Sequence, residues 1–231
     1  MNMQDPQQSW LRSRQIMYRL MSRLYWREVD QTLLAGLKKM PIPADCADHD
    51  LQVGWNLFGE AVAGLGDECL DELAVDFAVT FLGAGTAKPT LMALPFASVY
   101  TSIKRMLMQD ARDRAVAVYR SKGLQVGSHL AGLPEDHLAV LLDFMAFLCG
   151  TNETTAPEDV RLQSALQEQQ TFLEQHLLNW IGLFCEDVAK LGKTPFYRAV
   201  AGLTEAYLQF DARQIQELRQ PEAICAVSTA R

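Results

Sequence analysis

The sequence has few of the features that mark a protein for disulfide bonding or for a membrane. Its 231 residues include only five cysteines, and no two of them form a CxxC pair. Their odd number and wide spacing predict buried thiols in a reducing compartment rather than a disulfide framework. No run approaches the roughly 18 apolar residues that a membrane-spanning helix needs. We therefore expect no stable membrane insertion.

The sequence also offers no export leader and no excess of positive charge. The first ten residues, MNMQDPQQSW, contain neither a basic stretch nor an apolar stretch of the kind found in leaders, so we expect a cytoplasmic protein. The net charge of −7 argues against a nucleic-acid partner and favours either solubility or a basic partner. A hydrophobic fraction of 49% is typical of a globular protein with a core of its own.

Motifs of enzymes, metal sites and phosphate loops are missing as well. The sequence contains no GxSxG, HExxH or GxxxxGK[ST], and its four histidines are not spaced as metal ligands. Asp136 and His137 are adjacent, and neighbouring residues of a helix do not face each other. We therefore expect no catalytic residue, no metal and no cofactor. A small-molecule enzyme that uses the Asp136/His137 region is an alternative, as is a non-catalytic helical scaffold.

What the sequence does contain is apolar residues at helical spacing along most of its length. They predict helices that begin near Ser9, Asp30, Asp50, Asp67, Asp110, Pro134, Leu162, Trp180 and Pro195, with a partly helical stretch from Ser98 to Leu107. No segment alternates with the period of a strand. The predicted fold class is therefore all-α, with about nine or ten helices.

Glycines suggest how these helices are divided. Residues 123–133 contain three glycines and few strong helix formers, which is typical of a hinge. We predict an N-terminal helical subdomain over residues 1–122 and a C-terminal helical subdomain over residues 134–231. The residues beyond about Arg219 are expected to form a flexible tail, and residues 150–157 a polar surface loop.

One helix start stands out, at the beginning of the C-terminal half. Pro134 suits the first position of a helix, where its missing N–H costs nothing, and Glu135 and Asp136 place negative charge at the positive end of the helix dipole. The apolar residues that follow from Leu138 recur at helical spacing. We therefore expect a buried helix with an exposed acidic first turn.

Three separated blocks resemble the TorD/DmsD family of cytoplasmic chaperones for molybdoenzymes. The first is the aromatic helix that ends at Phe81-Leu82-Gly83, followed by the turn Leu94-Pro-Phe-Ala-Ser-Val-Tyr100. The second is Leu133-Pro-Glu-Asp-His137-Leu, which is similar to the family's Glu-Pro-x-Asp-His-Leu. The third is Phe172-Leu-Glu-Gln-His176-Leu-Leu-Asn-Trp180, followed by Pro195-Phe-Tyr197. Together the blocks span most of the chain.

The resemblance implies an all-helical protein of two subdomains that binds a molybdoenzyme precursor. It would bind the twin-arginine signal peptide and the apo catalytic subunit of a reductase for trimethylamine N-oxide or dimethyl sulfoxide, assist cofactor insertion and delay export. The client-binding residues that it implies are Phe81, Leu82, Pro95, Phe96, Ser98, Tyr100, Pro134, Glu135, Asp136 and His137. Asp136 is the expected charge contact for the arginines.

The sequence departs from the family pattern at two of these places. Leu133 stands where the family has its leading Glu, and Phe96 stands where some members have Trp. The 94–100 turn is more similar to the chaperones of trimethylamine N-oxide reductases than to those of dimethyl sulfoxide reductases. The resemblance implies either a monomer or a domain-swapped dimer, which the glycines of the hinge would permit. Guanine nucleotides have been associated with the family, but no motif locates such a site here.

Overall fold

A computed structural model describes residues 6–66, 68–85, 88, 92–130, 132–150 and 160–219. These residues form α1 (Pro6–Trp26), α2 (Gln31–Lys39), α3 (His49–Ala63), α4 (Leu70–Phe81), α5 (Ala97–Thr101), α6 (Asp110–Ser121), α7 (Leu138–Gly150), α8 (Val160–Leu173), α9 (Ile181–Leu191) and α10 (Pro195–Arg219). A 3₁₀ turn at Ser128–Leu130 and a π-helical turn at Glu174–Leu178 complete the described elements. The all-α fold class is confirmed. No described helix is both long and apolar enough to cross a bilayer.

Carboxylates begin several of the helices, as the sequence suggests. Asp30 caps α2 by accepting a hydrogen bond from the Leu33 N–H at 2.8 Å. Asp48 caps α3 through the Leu51 N–H at 2.9 Å. The helix predicted from Asp50 therefore begins slightly earlier, because Asp48 supplies the acceptor that the free N–H groups need.

The apolar helix α7 lies at the centre of the core. All but three of its residues are buried, which confirms the predicted burial. Helix α1 packs along it, and the Ser22 hydroxyl donates a hydrogen bond to the Ala139 carbonyl at 2.8 Å. Helix α3 lies so close to α10 that a Cβ on Gly54 would come within 3.2 Å of the Leu203 Cα atom. A side chain at this position would push the two helices slightly apart, so the crossing favours glycine.

These contacts join helices from both of the predicted subdomains. One connected cluster of buried apolar side chains includes residues from α1 to α10. Residues 123–126, Gly132 and Leu133 line a surface groove of about 600 Å³ together with Tyr119 and Glu135. The division into two subdomains at residues 123–133 stays a prediction. The described residues on both sides of this segment contribute side chains to one core.

A buried ion pair connects three helices within this core. The Arg14 guanidinium makes two hydrogen bonds to the Asp211 carboxylate, at 2.6 and 2.8 Å, and a third to the Gln169 amide at 2.6 Å. The Tyr18 hydroxyl donates to Asp211 at 2.6 Å. Because the Arg14 and Asp211 charges are paired and make further hydrogen bonds to Gln169 and Tyr18, this cluster lies in the core without an isolated charge. No sequence pattern predicted it.

The start of α7 differs from the prediction. Pro134 does not begin the helix, because residues 134–137 form a turn in which the His137 N–H bonds the Pro134 carbonyl at 3.0 Å. The helix begins at Leu138 instead. The partly helical stretch expected up to Leu107 also stops early, since α5 ends at Thr101.

Several other predictions fall partly or wholly outside the described residues. The four described cysteines are free thiols, of which Cys149 and Cys185 are buried while Cys46 and Cys69 are half-buried. Cys225 and most of the polar loop expected at residues 150–157 are outside the described ranges, and so is the expected tail.

Candidate functional site

The beginnings of α5 and α7 meet although they are about 40 residues apart in the chain. Phe96 and His137 form an isolated antiparallel β-bridge. Next to it, the Ala97 N–H donates a hydrogen bond to the Asp136 carbonyl at 3.0 Å. Two of the blocks singled out from the sequence are therefore in direct contact. We call residues 95–98 and 136–138 the α5/α7 junction.

Asp136 is buried within the junction. Its side chain is 1% exposed, and its Oδ2 accepts a hydrogen bond from the Ser98 N–H at 2.9 Å. The Oδ1 atom is buried and has no hydrogen-bond partner among the described residues. The expectation of an exposed acidic helix start is wrong at this residue. The physical reason is that α5 has no side-chain cap of its own, so Asp136 supplies the acceptor from across the junction.

His137 is buried beside Asp136, and its side chain accepts a hydrogen bond from the first turn of α7. Its Nδ1 accepts a hydrogen bond from the Ala139 N–H at 3.1 Å, and its ring packs edge-on against Phe96 with 4.8 Å between the centroids. Burial lowers the pKa of His137 to about 4. The imidazole is therefore neutral at pH 7, with its proton on Nε2.

Asp136 and His137 thus each bond a backbone N–H instead of forming an acid/base couple. Each of them stabilises the first turn of a different helix. In the described part of the chain, no group of three or more His, Cys, Asp or Glu side chains is arranged to hold a metal ion. The geometry of the junction favours a structural role for both residues over proton transfer.

Glu135 and Pro134 lie at the edge of the junction. The Glu135 carboxylate accepts a hydrogen bond from the Arg112 Nε at 2.7 Å, and its carbonyl accepts one from the Tyr119 hydroxyl at 3.0 Å. Both Pro134 and Glu135 are half-buried. The acidic charge nearest to the surface at this point is therefore already paired with an arginine of α6.

An aromatic cluster joins the remaining predicted residues to the third sequence block. The Tyr100 ring stacks on Trp180 with 5.5 Å between centroids and meets Phe184 edge-on at 6.0 Å. Phe81, at the end of α4, stacks on Phe184 at 6.1 Å. Its neighbour Leu82 is 61% exposed. The ends of α4, α5 and the π-helical turn therefore meet around Phe184.

The π-helical turn fixes the position of Trp180. The Trp180 indole N–H donates to the His176 carbonyl at 2.7 Å, and the His176 ring stacks on Phe172 with 4.6 Å between centroids. Burial, with a smaller effect from nearby Arg114, lowers the pKa of His176 to about 4. The spacing of Phe172, His176 and Trp180 thus reflects packing around this turn.

Beyond α5 the chain forms an exposed loop over residues 102–109, which sequence reasoning did not identify as part of the site. Four large apolar side chains of this loop are exposed, namely Ile103, Met106, Leu107 and Met108. Arg105 donates a hydrogen bond to the Asp187 carboxylate of α9 at 3.1 Å. The sequence signal for a loop was the lack of regular helical spacing among the apolar residues of this stretch. We interpreted the stretch as partly helical.

Two further grooves lie away from the junction. One, of about 660 Å³, is lined by Arg19, Arg23, Trp26, His129 and Phe147 together with five other residues. The other, of about 500 Å³, lies between the end of α3 and the beginning of α10. Neither of these two grooves is lined by a residue predicted from the sequence to bind a client.

Comparison with known proteins gives one family and several relatives. Residues 44–186 match the family described as nitrate reductase delta subunit. The chain is 37% identical over 149 residues to "Chaperone protein TorD" of Vibrio cholerae serotype O1, a match that covers 64% of each protein and so slightly less than two thirds of that relative. It is 32% identical over 202 residues to the protein of that name from Vibrio vulnificus, covering 84% of this chain and 91% of the relative.

A third relative of the same name, from a Shewanella species, is 30% identical over 225 residues, with 89% of this chain and 95% of the relative covered. All three relatives are named as chaperones. The prediction that the chain is not an enzyme is therefore confirmed.

Proposed function

Because this chain belongs to the family of TorD-type chaperones, we propose that it binds the precursor of a molybdopterin oxidoreductase in the cytoplasm. It recognises the twin-arginine signal peptide and the apo catalytic subunit of a reductase of the trimethylamine N-oxide or dimethyl sulfoxide type. By holding this client, it assists insertion of the molybdenum cofactor and delays export until the cofactor is in place.

The observation that carries this proposal is the convergence of the three sequence blocks. The 94–100 turn bonds the Asp136-His137 segment through the β-bridge, and Tyr100 of the same turn stacks on Trp180 of the third block. Blocks that resemble one family, and that are separated by more than 30 residues in the chain, thus form one connected region. That convergence supports a shared binding function.

Within this region we assign contact and positioning to different residues. Leu82 is exposed, and Phe96, Tyr100, Pro134 and Glu135 are half-buried, so these side chains are available to a client. The buried residues Phe81, Pro95, Ser98, Asp136 and His137 act as positioning residues that hold this surface. Apolar contact with the hydrophobic part of the signal peptide supplies most of the binding free energy.

Charge contributes through the protein as a whole. The net charge of −7 attracts a segment that carries two arginines and accelerates its association. Guanidinium groups bind best to carboxylates that can accept two hydrogen bonds. Asp136 is buried and Glu135 is paired with Arg112. The client's arginines are therefore attracted by the net negative charge of the protein, or they replace Arg112 as the partner of Glu135.

The test is calorimetric titration of the protein with a synthetic twin-arginine signal peptide, with Phe96→Ala as the variant. We expect saturable binding that is weakened about fivefold or more by the loss of the aromatic contact. Phe147→Ala is the matched control, because Phe147 is also a partly exposed phenylalanine but lines the groove beside α1. A peptide with both arginines changed to lysine measures the guanidinium contribution.

The proposal would be contradicted if several such peptides gave no saturable heat, including peptides attached to the folded reductase core. Equal weakening by Phe96→Ala and Phe147→Ala would leave chaperone binding in place but would remove the junction as its site. Thermal melts of both variants separate a loss of binding from a loss of folding.

A further inference from the structure

Arg105 of the exposed loop 102–109 contacts both a carboxylate and an aromatic ring. The Arg105 guanidinium bonds the Asp187 carboxylate at 3.1 Å, and its central carbon lies 5.3 Å from the centroid of the Tyr100 ring. The two side chains of the ion pair are 60% and 26% exposed. The Arg105 guanidinium thus contacts a carboxylate and the face of an aromatic ring at the same time, and both kinds of group bind arginine side chains.

The loop that delivers this arginine is strained and is held mainly at its ends. Arg105 and Met108 have φ angles of 48° and 59°, in the left-handed region that non-glycine residues rarely occupy. The Gln109 N–H donates to the Ser98 hydroxyl at 3.0 Å, and the Ser102 N–H donates to the Ser98 carbonyl at 3.2 Å. Both ends of the loop are therefore fixed to one residue of the α5/α7 junction.

The middle of the loop has few contacts of its own with the rest of the protein. Ile103 is fully exposed, and Met106, Leu107 and Met108 are 53%, 41% and 57% exposed. Methionine side chains are flexible and adapt to apolar partners of different shapes. The loop can therefore change conformation between its fixed ends without breaking the junction.

The loop's sequence has the same chemical order as the client of the proposed function. Lys104-Arg105 places two cations in succession, and Met106-Leu107-Met108 follows with three apolar residues. A twin-arginine segment likewise has two cations before a hydrophobic run. An intramolecular segment of matching chemistry, bound at a polar and aromatic site, competes with a ligand for that site.

We propose that Asp187 and the Tyr100 ring form a binding site for an arginine side chain of the client peptide, and that Arg105 occupies this site in the free protein. The client's arginine replaces Arg105, and the loop is displaced. Its methionines and leucine, which are already exposed, then follow the hydrophobic run of the peptide. This inference rests on the proposed function, since it names the part of the protein that receives the arginines.

The experiment compares wild type, Arg105→Ala and Asp187→Asn in titrations with the twin-arginine peptide. Arg105→Ala should bind about threefold to tenfold more tightly, because the competing side chain is gone. In the Arg105→Ala background, Asp187→Asn should weaken binding at least about fivefold, because the charge-assisted hydrogen bond is lost. With Arg105 present the loss should be smaller, because the substitution also weakens the competing contact of Arg105. A peptide with both arginines changed to glutamine should bind equally to wild type and to Arg105→Ala.

Arg213→Ala is the matched control for the change in net charge. Arg213 also forms a partly exposed ion pair, with Asp48, but it lies on α10 away from the loop. If it tightens binding as much as Arg105→Ala does, the effect is general electrostatics and the inference falls.

The remaining outcomes separate the inference from the proposed function. Wild-type binding that neither Arg105→Ala nor Asp187→Asn alters would overturn the inference and leave the proposed function intact. Absence of binding by wild type and by every variant would overturn both. Circular dichroism melts of each variant establish that the protein tested is folded.

Discussion

The α5/α7 junction and the loop 102–109 are neighbours in the chain but differ in almost every physical respect. At the junction, Asp136 and His137 are 1% and 3% exposed, and each bonds a backbone N–H. In the loop, the apolar side chains are exposed and two residues have left-handed backbone angles. The junction is an ordered part of the core, whereas the loop has the features of a segment that moves.

This difference separates what makes a sequence recognisable from what is available to a partner. The Asp-His pair is part of the family pattern, yet its side chains are used to cap two helices and to hold them together. The loop has no recognised motif, yet its apolar side chains are far more exposed than the Asp-His pair. Ser98 connects the two regions, since it bonds Asp136 on one side and Gln109 on the other.

The largest effect should follow from removing the acceptor at the junction. Asp136→Ala leaves the buried Ser98 N–H without its partner, and we expect a loss of about 2 to 3 kcal/mol in the free energy of unfolding. Urea denaturation followed by circular dichroism measures it. Asp136→Asn, which keeps an acceptor oxygen, should cost less. Equal stability of wild type and Asp136→Ala would mean that the junction is not organised by this carboxylate.

The next effect concerns pH, and it comes from His137. Its folded-state pKa of about 4 lies below the ordinary value of 6.5, so the unfolded chain binds the proton more readily. The stability that the neutral imidazole contributes is complete above pH 6.5 and is lost as the pH falls towards 4. Between pH 7 and pH 5 the free energy of unfolding should fall by about 2 kcal/mol from this residue.

The measurement is the difference in unfolding free energy between pH 7 and pH 5, in wild type and in His137→Gln. The variant has no group that titrates at this position, so its difference should be smaller by about the same 2 kcal/mol. His176 also has a lowered pKa and remains in both proteins, so its contribution cancels in the comparison. An identical pH dependence in both proteins would show that His137 is not buried in its neutral form.

The sequence could predict the parts of the fold that depend on periodicity. Regular apolar spacing predicted the all-α class and the long helices, and the apolar sequence of α7, in which Asp143 is the only charged residue, predicted its burial. The family resemblance is confirmed as well. These predictions succeeded because periodicity, and motifs spread over the chain, are properties of the sequence itself.

What could not be predicted depends on contacts between distant segments. Pro134 looked like a helix start because its local preferences fit one, but the bridge between Phe96 and His137 keeps residues 134–137 in a turn. Asp136 looked exposed because acids at helix starts usually are. Its burial follows from α5, a five-residue helix that has no cap of its own. The pairing of Arg14 with Asp211 spans 197 positions and leaves no local signal.

The smallest effect tests strain in the loop, and the chain supplies a matched pair of residues for it. Met106 and Met108 are both exposed methionines of the loop, but only Met108 has a positive φ angle among the two. Met108→Gly removes the Cβ that makes the left-handed conformation costly, which offsets the added entropy of the unfolded chain. Met106→Gly adds the entropy alone.

We therefore expect Met108→Gly to be more stable than Met106→Gly by about 1 kcal/mol, measured by urea denaturation under the same conditions. Equal destabilisation by the two substitutions would mean that the left-handed backbone at Met108 stores no strain, and that a client gains nothing by releasing it. A difference of the expected sign would show that the loop stores backbone strain at Met108, in contrast to the junction that anchors it.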